Sequence, residues 1–104
     1  MIVVTSDHIP GHDIVETLGL VRGTATRSRH LGKDVAALFK NIVGGEIEEY
    51  TKLLAESREQ ALDRARAQAQ AMGADAIIAL RYSSSMIATG VAEILAYGTA
   101  VKLG

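Results

Sequence analysis

No cysteine occurs in the 104 residues of this chain. That excludes a disulfide framework, a thiolate metal site and a cysteine nucleophile. Tryptophan is absent too, phenylalanine occurs once, at Phe39, and tyrosine three times. The core must therefore be built from Val, Ile, Leu and Ala. Small side chains bury little area each, at about 0.8 kcal/mol per buried CH2. A chain of this length hides only about two thirds of the surface its unfolded form exposes. Burial against sister copies is one way to widen so thin a margin. No charge of one sign dominates: Lys and Arg number 11, Asp and Glu 12, for a formal net charge of -1. No global field favours nucleic acid or anionic membrane, and neither is expected as a partner. No apolar run approaches the roughly 20 residues of a membrane span. Residues 1–7 lack the basic region and apolar stretch of a signal peptide. The expectation is one cytoplasmic domain over residues 1–104.

What is present is strongly patterned. Residues 2–5 are a short apolar run that reads as a strand. Pro10 and Gly11 then suit a turn, since Pro presets its own φ and Gly accepts φ > 0. Residues 14–28 read as a long strand, with Val21, Gly23 and Ala25 on one face and Leu20, Arg22, Thr24 and Thr26 on the other. Gly19 and Gly23 inside it point to a bulge or a close backbone approach. Val35, Leu38, Phe39, Ile42 and Val43 follow the i, i+3, i+4, i+7, i+8 spacing of a short amphipathic helix, which Gly44 and Gly45 end.

Residues 46–72 contain no Gly or Pro and are rich in Ala, Leu, Glu, Arg and Gln, which predicts a long helix. Glu46, Glu48 and Glu49 near its start and Arg64 and Arg66 towards its end suit the macrodipole. Gly73 stands where a C′ residue belongs. Leu53 and Leu54 lie in its first half; Ala61, Ala65, Ala69 and Met72 form a shallow stripe in its second, fit for close approach to a sheet. Residues 76–82, apolar except for Arg81, are read as a strand buried on both faces. Ser83, Ser84 and Ser85 suggest a turn region extending to Gly90. Residues 91–103 read as the last strand, with Val91, Leu95, Tyr97, Thr99 and Val101 on one side and Ala92, Ile94, Ala96, Gly98 and Ala100 on the other. Both sides are apolar or small, so both are expected to be covered.

The order is thus β-β-α-α-β-β, an α+β domain with a long helix on a small, mainly antiparallel sheet. A helix of about 40 Å overhangs strands of about 33 Å. The overhang and the two-faced strands predict a closed homo-oligomer.

Two constellations could carry binding chemistry. His8 and His12, with Asp7 and Asp13, offer imidazole and carboxylate groups suited to Zn, Ni or Cu. They flank Pro10 and Gly11 in a turn, so one chain does not present a full ligand set. Neighbouring copies could add the missing donors; the alternative is a pair of solvated loop histidines. Arg27, Arg29, His30 and Lys33 precede the short helix, whose free N–H groups and positive dipole would favour an anion. The alternative there is a charged, solvated connection. No catalytic residues are readable: no Ser-His-Asp or paired-acid arrangement occurs, and Glu48, Glu49, Glu56, Glu59 and Asp63 follow one solvated helix face. The chain reads as a non-enzyme, with a site shared between subunits as the alternative.

The segments Leu18-Gly19-Leu20-Val21-Arg22-Gly23, Ile42-Val43-Gly44-Gly45, Glu49-Tyr50-Thr51-Lys52-Leu53-Leu54, Met72-Gly73-Ala74-Asp75-Ala76-Ile77-Ile78 and Tyr97-Gly98-Thr99-Ala100-Val101 resemble, in this order, the YbjQ-like family, which carries a heavy-metal-binding label. The resemblance spans nearly the whole chain. It implies a dodecin-subunit-like fold and a ring of subunits, a homopentamer, and it implies no known reaction. One departure stands out: the family's acidic segment after the third strand reads here Arg81-Tyr82-Ser83-Ser84-Ser85. The combined expectation is a ring-forming cytosolic protein that binds a small ligand or anion at subunit interfaces. It needs no cofactor. The alternative is a protein that binds a divalent transition metal through His8 and His12.

Overall fold

Alternation in two long segments dictates a sheet, and a glycine in one of them decides where the helix lies on it. The computed structural model describes residues 1–28, 47–88 and 91–104. The elements are β1 (Ile2–Val3), β2 (Ile14–Ser28), α1 (Ile47–Ala71), β3 (Ala76–Ala88) and β4 (Val91–Leu103). The short helix expected at Val35, Leu38, Phe39, Ile42 and Val43 lies outside the described residues. The strands form one four-stranded sheet in the order β1-β3-β4-β2. β1 runs parallel to β3, while β4 is antiparallel to both β3 and β2. The fold is α+β, with α1 packed on one face of this mixed sheet.

The alternation in β2 is realised as read. Val21, Gly23 and Ala25 are buried under the helix, and Arg22, Thr24 and Thr26 are exposed on the other face. Ala96, Ile94 and Gly98 of β4 lie opposite Gly23, Ala25 and Val21 and complete the helix-side layer. Gly23 is the point of closest approach: a Cβ there would sit 2.5 Å from the Ala65 nitrogen and 2.8 Å from the Arg64 Cβ. Only a residue without a side chain lets the helix axis come so near. Ala61, Ala65 and Ala69 are fully buried against the sheet, with Ser57 completing the stripe one turn earlier. The alanine stripe therefore faces the chain's own sheet. Ser57 is the polar residue of this buried layer, and its hydroxyl donates to the Leu53 carbonyl at 2.8 Å. That bond makes its burial affordable, because a buried hydroxyl without a partner is costly.

α1 ends as Gly73 predicts. Gly73 has φ +81°, its N–H donates to Gln70 O at 3.0 Å, and the Ala74 N–H donates to Ala69 O at 3.0 Å. This is the Schellman pattern, with Ala74 packed on the core beyond it. No basic residue occupies the last turn. Arg64 and Arg66 lie too far back to complement the C-terminal dipole, and Arg64 instead donates to the Thr24 carbonyl.

β3 differs most from its expectation. It continues through Ser83, Ser84 and Ser85 to Ala88, so the expected turn region is strand. Pairing supplies the reason: Ser83, Ser84 and Ser85 face Leu95, Ile94 and Glu93 of β4, and the ladder overrides weak local preference. The strand is buried on both faces only at its start, and Arg81 onward is exposed. A register shift between Ile78 and Arg81 coincides with Ala79, whose φ is +54°. There the segment after β1 runs along β3: Val4 N–H donates to Ile77 O at 2.9 Å, Ala79 N–H to Ser6 O at 2.8 Å and Leu80 N–H to Val4 O at 3.0 Å.

Beyond the helix-side core lies a smaller cluster on the opposite face. Ile9, carried by the loop between β1 and β2, is buried with Ala76 and Val101, and Val4, Ile14, Ile78 and Leu103 pack around them. The loop plugs one end of that face only. In β4, Tyr97 is exposed and Glu93, Leu95 and Thr99 are half-buried, so the expected cover on this side is incomplete within one chain.

Candidate functional site

The loop that carries Ile9 also carries the histidines. Ser6 Oγ donates to the His8 carbonyl at 2.7 Å, and the His12 N–H donates to Ile9 O at 3.1 Å, which shapes the turn around Pro10 and Gly11. His8 Nδ1 lies 3.0 Å from Asp7 Oδ1. A hydrogen bond from His8, reinforced by a backbone hydrogen bond, holds the Asp7 carboxyl below its ordinary pKa, and the charges of His8 and Arg81 act the same way. With Nδ1 turned to the carboxylate, Nε2 is the nitrogen left to face outward, the arrangement in which a carboxylate orients a metal-ligating imidazole. His12 is exposed on the same loop. Among the described residues, no three His, Asp or Glu side chains converge to hold a metal ion.

Of the anion constellation, Arg27 lies in β2 opposite Ala92. Arg29, His30 and Lys33 lie outside the described residues.

The open part of the sheet holds a constellation that no reading along one strand could assemble. On the face away from α1, Arg22 of β2 pairs with Tyr97 of β4, and Tyr97 pairs with Arg81 of β3. One cross-strand row therefore reads Arg22–Tyr97–Arg81. The adjoining row on one side is Thr24–Leu95–Ser83, and on the other are Leu20, Thr99 and Ile78. Tyr97 is 37% exposed and Leu20 62%. Arg81 Nη1 donates to the Thr5 and Leu80 carbonyls, both at 2.9 Å, so its guanidinium is anchored on the β1 side of the row. The alternation grouped Arg22 with Leu20, Thr24 and Thr26, and Tyr97 with Leu95 and Thr99, each on one side of its strand. What was missing was the register.

On the helix side, α1 covers β2 and β4 and leaves the outer half of β3 open. Tyr82 and Met86 are exposed there, and a groove of about 150 Å3 runs between Leu54 on the helix and Ser84, Met86 and Ala92 on the sheet. Partial burial, and then the charge of Glu59, push the Tyr82 phenol up, against Arg66 and Arg58. No helix among the described residues is long and apolar enough to cross a membrane.

A family model described as "Putative heavy-metal-binding", YbjQ, matches residues 1–104. The chain belongs to this family. A UPF0145 protein of Fervidobacterium nodosum is 60% identical to this YbjQ-family chain over 103 residues, covering 99% of the chain and 95% of that protein. A UPF0145 protein of Thermotoga maritima is 54% identical, covering 99% of the chain and 97% of the relative. One from Photobacterium profundum is 56% identical over 99% of the chain and the relative's whole length. A crystal structure of a protein of unknown function from Pediococcus pentosaceus, of the DUF74 family, superposes with a TM-score of 0.65 at 17% identity, covering 100% of the chain and 98% of that structure. At that identity the likeness speaks for the fold alone. None of these names assigns a reaction to a YbjQ-family member.

Proposed function

We propose that this YbjQ-family chain is a homo-oligomeric binding module that closes into a ring in the cytoplasm and holds a small ligand on the surfaces that assembly encloses. One observation carries the reading: the described residues form a thin plate with much apolar surface exposed. Its extents are 54 × 22 × 16 Å and its radius of gyration is 17.1 Å, against about 13 Å for a compact domain of ~100 residues. Tyr82, Met86 and Ile87 are all exposed on the outer half of β3, which among the described residues pairs with β4 on one side only. An exposed, nearly uncharged edge strand is a liability in a monomer and a ready site for assembly. The resemblance to the YbjQ-like family is what implies the number five. Light scattering or native mass spectrometry at micromolar concentration tests the reading: a mass of about five chains is expected, and a monomer would sink it.

A second reading is favoured by the Asp7–His8 pair and by the family's description. In it, His8 Nε2 ligates a divalent transition metal, with His12 and donors from a neighbouring copy. Metal analysis of tag-free protein, with zinc, nickel and copper titrations followed at the His8 ring, tests it. Saturable shifts at His8 support this reading; unperturbed signals in a metal-free preparation remove it. In either reading the fold stands without metal, so a chelator is expected to leave the melting temperature unchanged.

A further inference from the structure

The open sheet face carries a second kind of information besides surplus apolar area: its charge is sorted. Arg22 and Arg81 flank Tyr97 in one row, and the rows on either side contain no carboxylate. The next acid along this face is Glu93, four residues from Tyr97 and opposite Thr26 and Ser85, a strand distance of about 13 Å. Arg64 adds a third cation at the outer end, where it donates to the Thr24 carbonyl beside Arg22. At the other end Asp7, itself bonded to His8, feels the charge of Arg81 and takes a share of it.

We propose that this row binds a planar aromatic dianion, its ring on Tyr97 and its acid groups on Arg22 and Arg81. Adjacent strands lie about 4.8 Å apart, so the two arginine Cα atoms stand about 10 Å apart with the phenol between them. The anchoring of Arg81 on two main-chain carbonyls keeps its charge on the β1 side of the row. Two separated cations with a flat, partly exposed ring between them suit a ligand with charge at both ends and a flat middle, rather than a single compact anion. A guanidinium pairs with a carboxylate through two parallel hydrogen bonds, and an already anchored one loses less freedom in doing so. Leu20 and Leu95 stand in the rows on either side of Tyr97 and add apolar area to this face. The chemistry recognised is that of an aromatic ring bearing two carboxylate or phosphate groups.

The inference gives the small-ligand part of the proposed function a place and rests on that reading. Its test reads binding, so that it separates from assembly. Protein labelled at tyrosine, in its natural assembly, is titrated with terephthalate while the ring signals of Tyr50, Tyr82 and Tyr97 are followed by NMR. Tyr97 is expected to shift saturably, with Tyr82, on the other face, unmoved. Benzoate, with one charge, and trans-cyclohexane-1,4-dicarboxylate, with no flat ring, are each expected to bind about tenfold more weakly. Arg22→Gln, at an exposed position, should weaken terephthalate about tenfold at unchanged mass, and Tyr97→Leu should do the same. No saturable shift at Tyr97, equal binding of inorganic phosphate, or an Arg22→Gln protein that binds like the parent would overturn the proposal. A monomeric mass in the same samples would count against the assembly alone.

Discussion

The side-chain oxygen of Gln68 accepts the backbone N–H of Arg22 at 2.7 Å, from a helix onto the free edge of a strand. Among the described residues β2 is the outermost strand of the sheet, and none of them pairs its outer side. Two residues on, the Thr24 carbonyl on the same edge accepts from Arg64. Side chains of α1 thus occupy backbone groups that would otherwise invite another strand. Natural sheets commonly cover their edges in some such way. Among the described residues β3 has no such cover beyond Arg81, and there the two edges are chemically unlike.

Gln68→Leu is expected to lower stability by about 1 kcal/mol, the net worth of one hydrogen bond. The amide of Arg22 should then exchange with solvent faster while that of Val21 is unaffected. Hydrogen exchange followed by NMR reads this directly, and an unchanged rate at Arg22 would show that the bond is not formed in solution.

Ala65→Leu and Ala69→Leu are each expected to cost about 1–3 kcal/mol, because both positions press on the sheet and have no room to grow. Ser57→Leu should cost as much, since Ser57 is equally buried and loses its bond to Leu53. Ala67, exposed on the opposite side of the helix, is the control. Ala67→Leu should stay within about 0.5 kcal/mol of the parent. Thermal or denaturant melts give the ranking. An Ala65→Leu protein as stable as the parent would contradict the packing of α1 on Gly23.

Ala79 holds φ +54° where the chain after β1 crosses β3. A left-handed conformation costs a residue with a Cβ about 1–2 kcal/mol. Glycine removes that strain but gains unfolded-state freedom worth about 0.4–1 kcal/mol. Ala79→Gly is therefore expected to be neutral to slightly stabilising, and Ala79→Val clearly destabilising. A melting temperature that falls with glycine and rises with valine would mean that the left-handed turn is absent.

Asp7 titrates below the ordinary carboxylate range because His8 donates to it. A depressed folded-state pKa contributes stability above the unfolded-state value and loses it as pH falls through the folded-state value. The pair is exposed, so the effect on stability is small. The titration itself is the sharper test. The Asp7 midpoint, followed by NMR, should rise towards an ordinary carboxylate in His8→Ala. A midpoint that does not move would show that the two side chains do not meet.

Much of this protein was legible one residue at a time. Alternation of period two set the bounds of β2 and β4 and sorted their residues onto two sides, because a strand's side chains alternate whatever it pairs with. The absence of Gly and Pro between residues 46 and 72, and Gly73 after them, set the long helix and its end. Asp7, His8 and His12 were legible as groups with the right chemistry for a metal, though not as groups that converge.

Only the tertiary structure decided the rest. Ser83, Ser84 and Ser85 are strand because β4 pairs with them, while their own preference is for turns. Ser57 is buried because it continues, one turn earlier, the Ala61, Ala65 and Ala69 stripe that lies on the sheet, and a serine by itself gives no sign of burial. Arg22, Tyr97 and Arg81 stand in one row because two register alignments, of Arg22 with Tyr97 and of Arg81 with Tyr97, bring together residues far apart in the chain. Alternation is a local property of a strand, carried by its own backbone. Register belongs to the pair, and it is set by what the buried faces must match across the sheet.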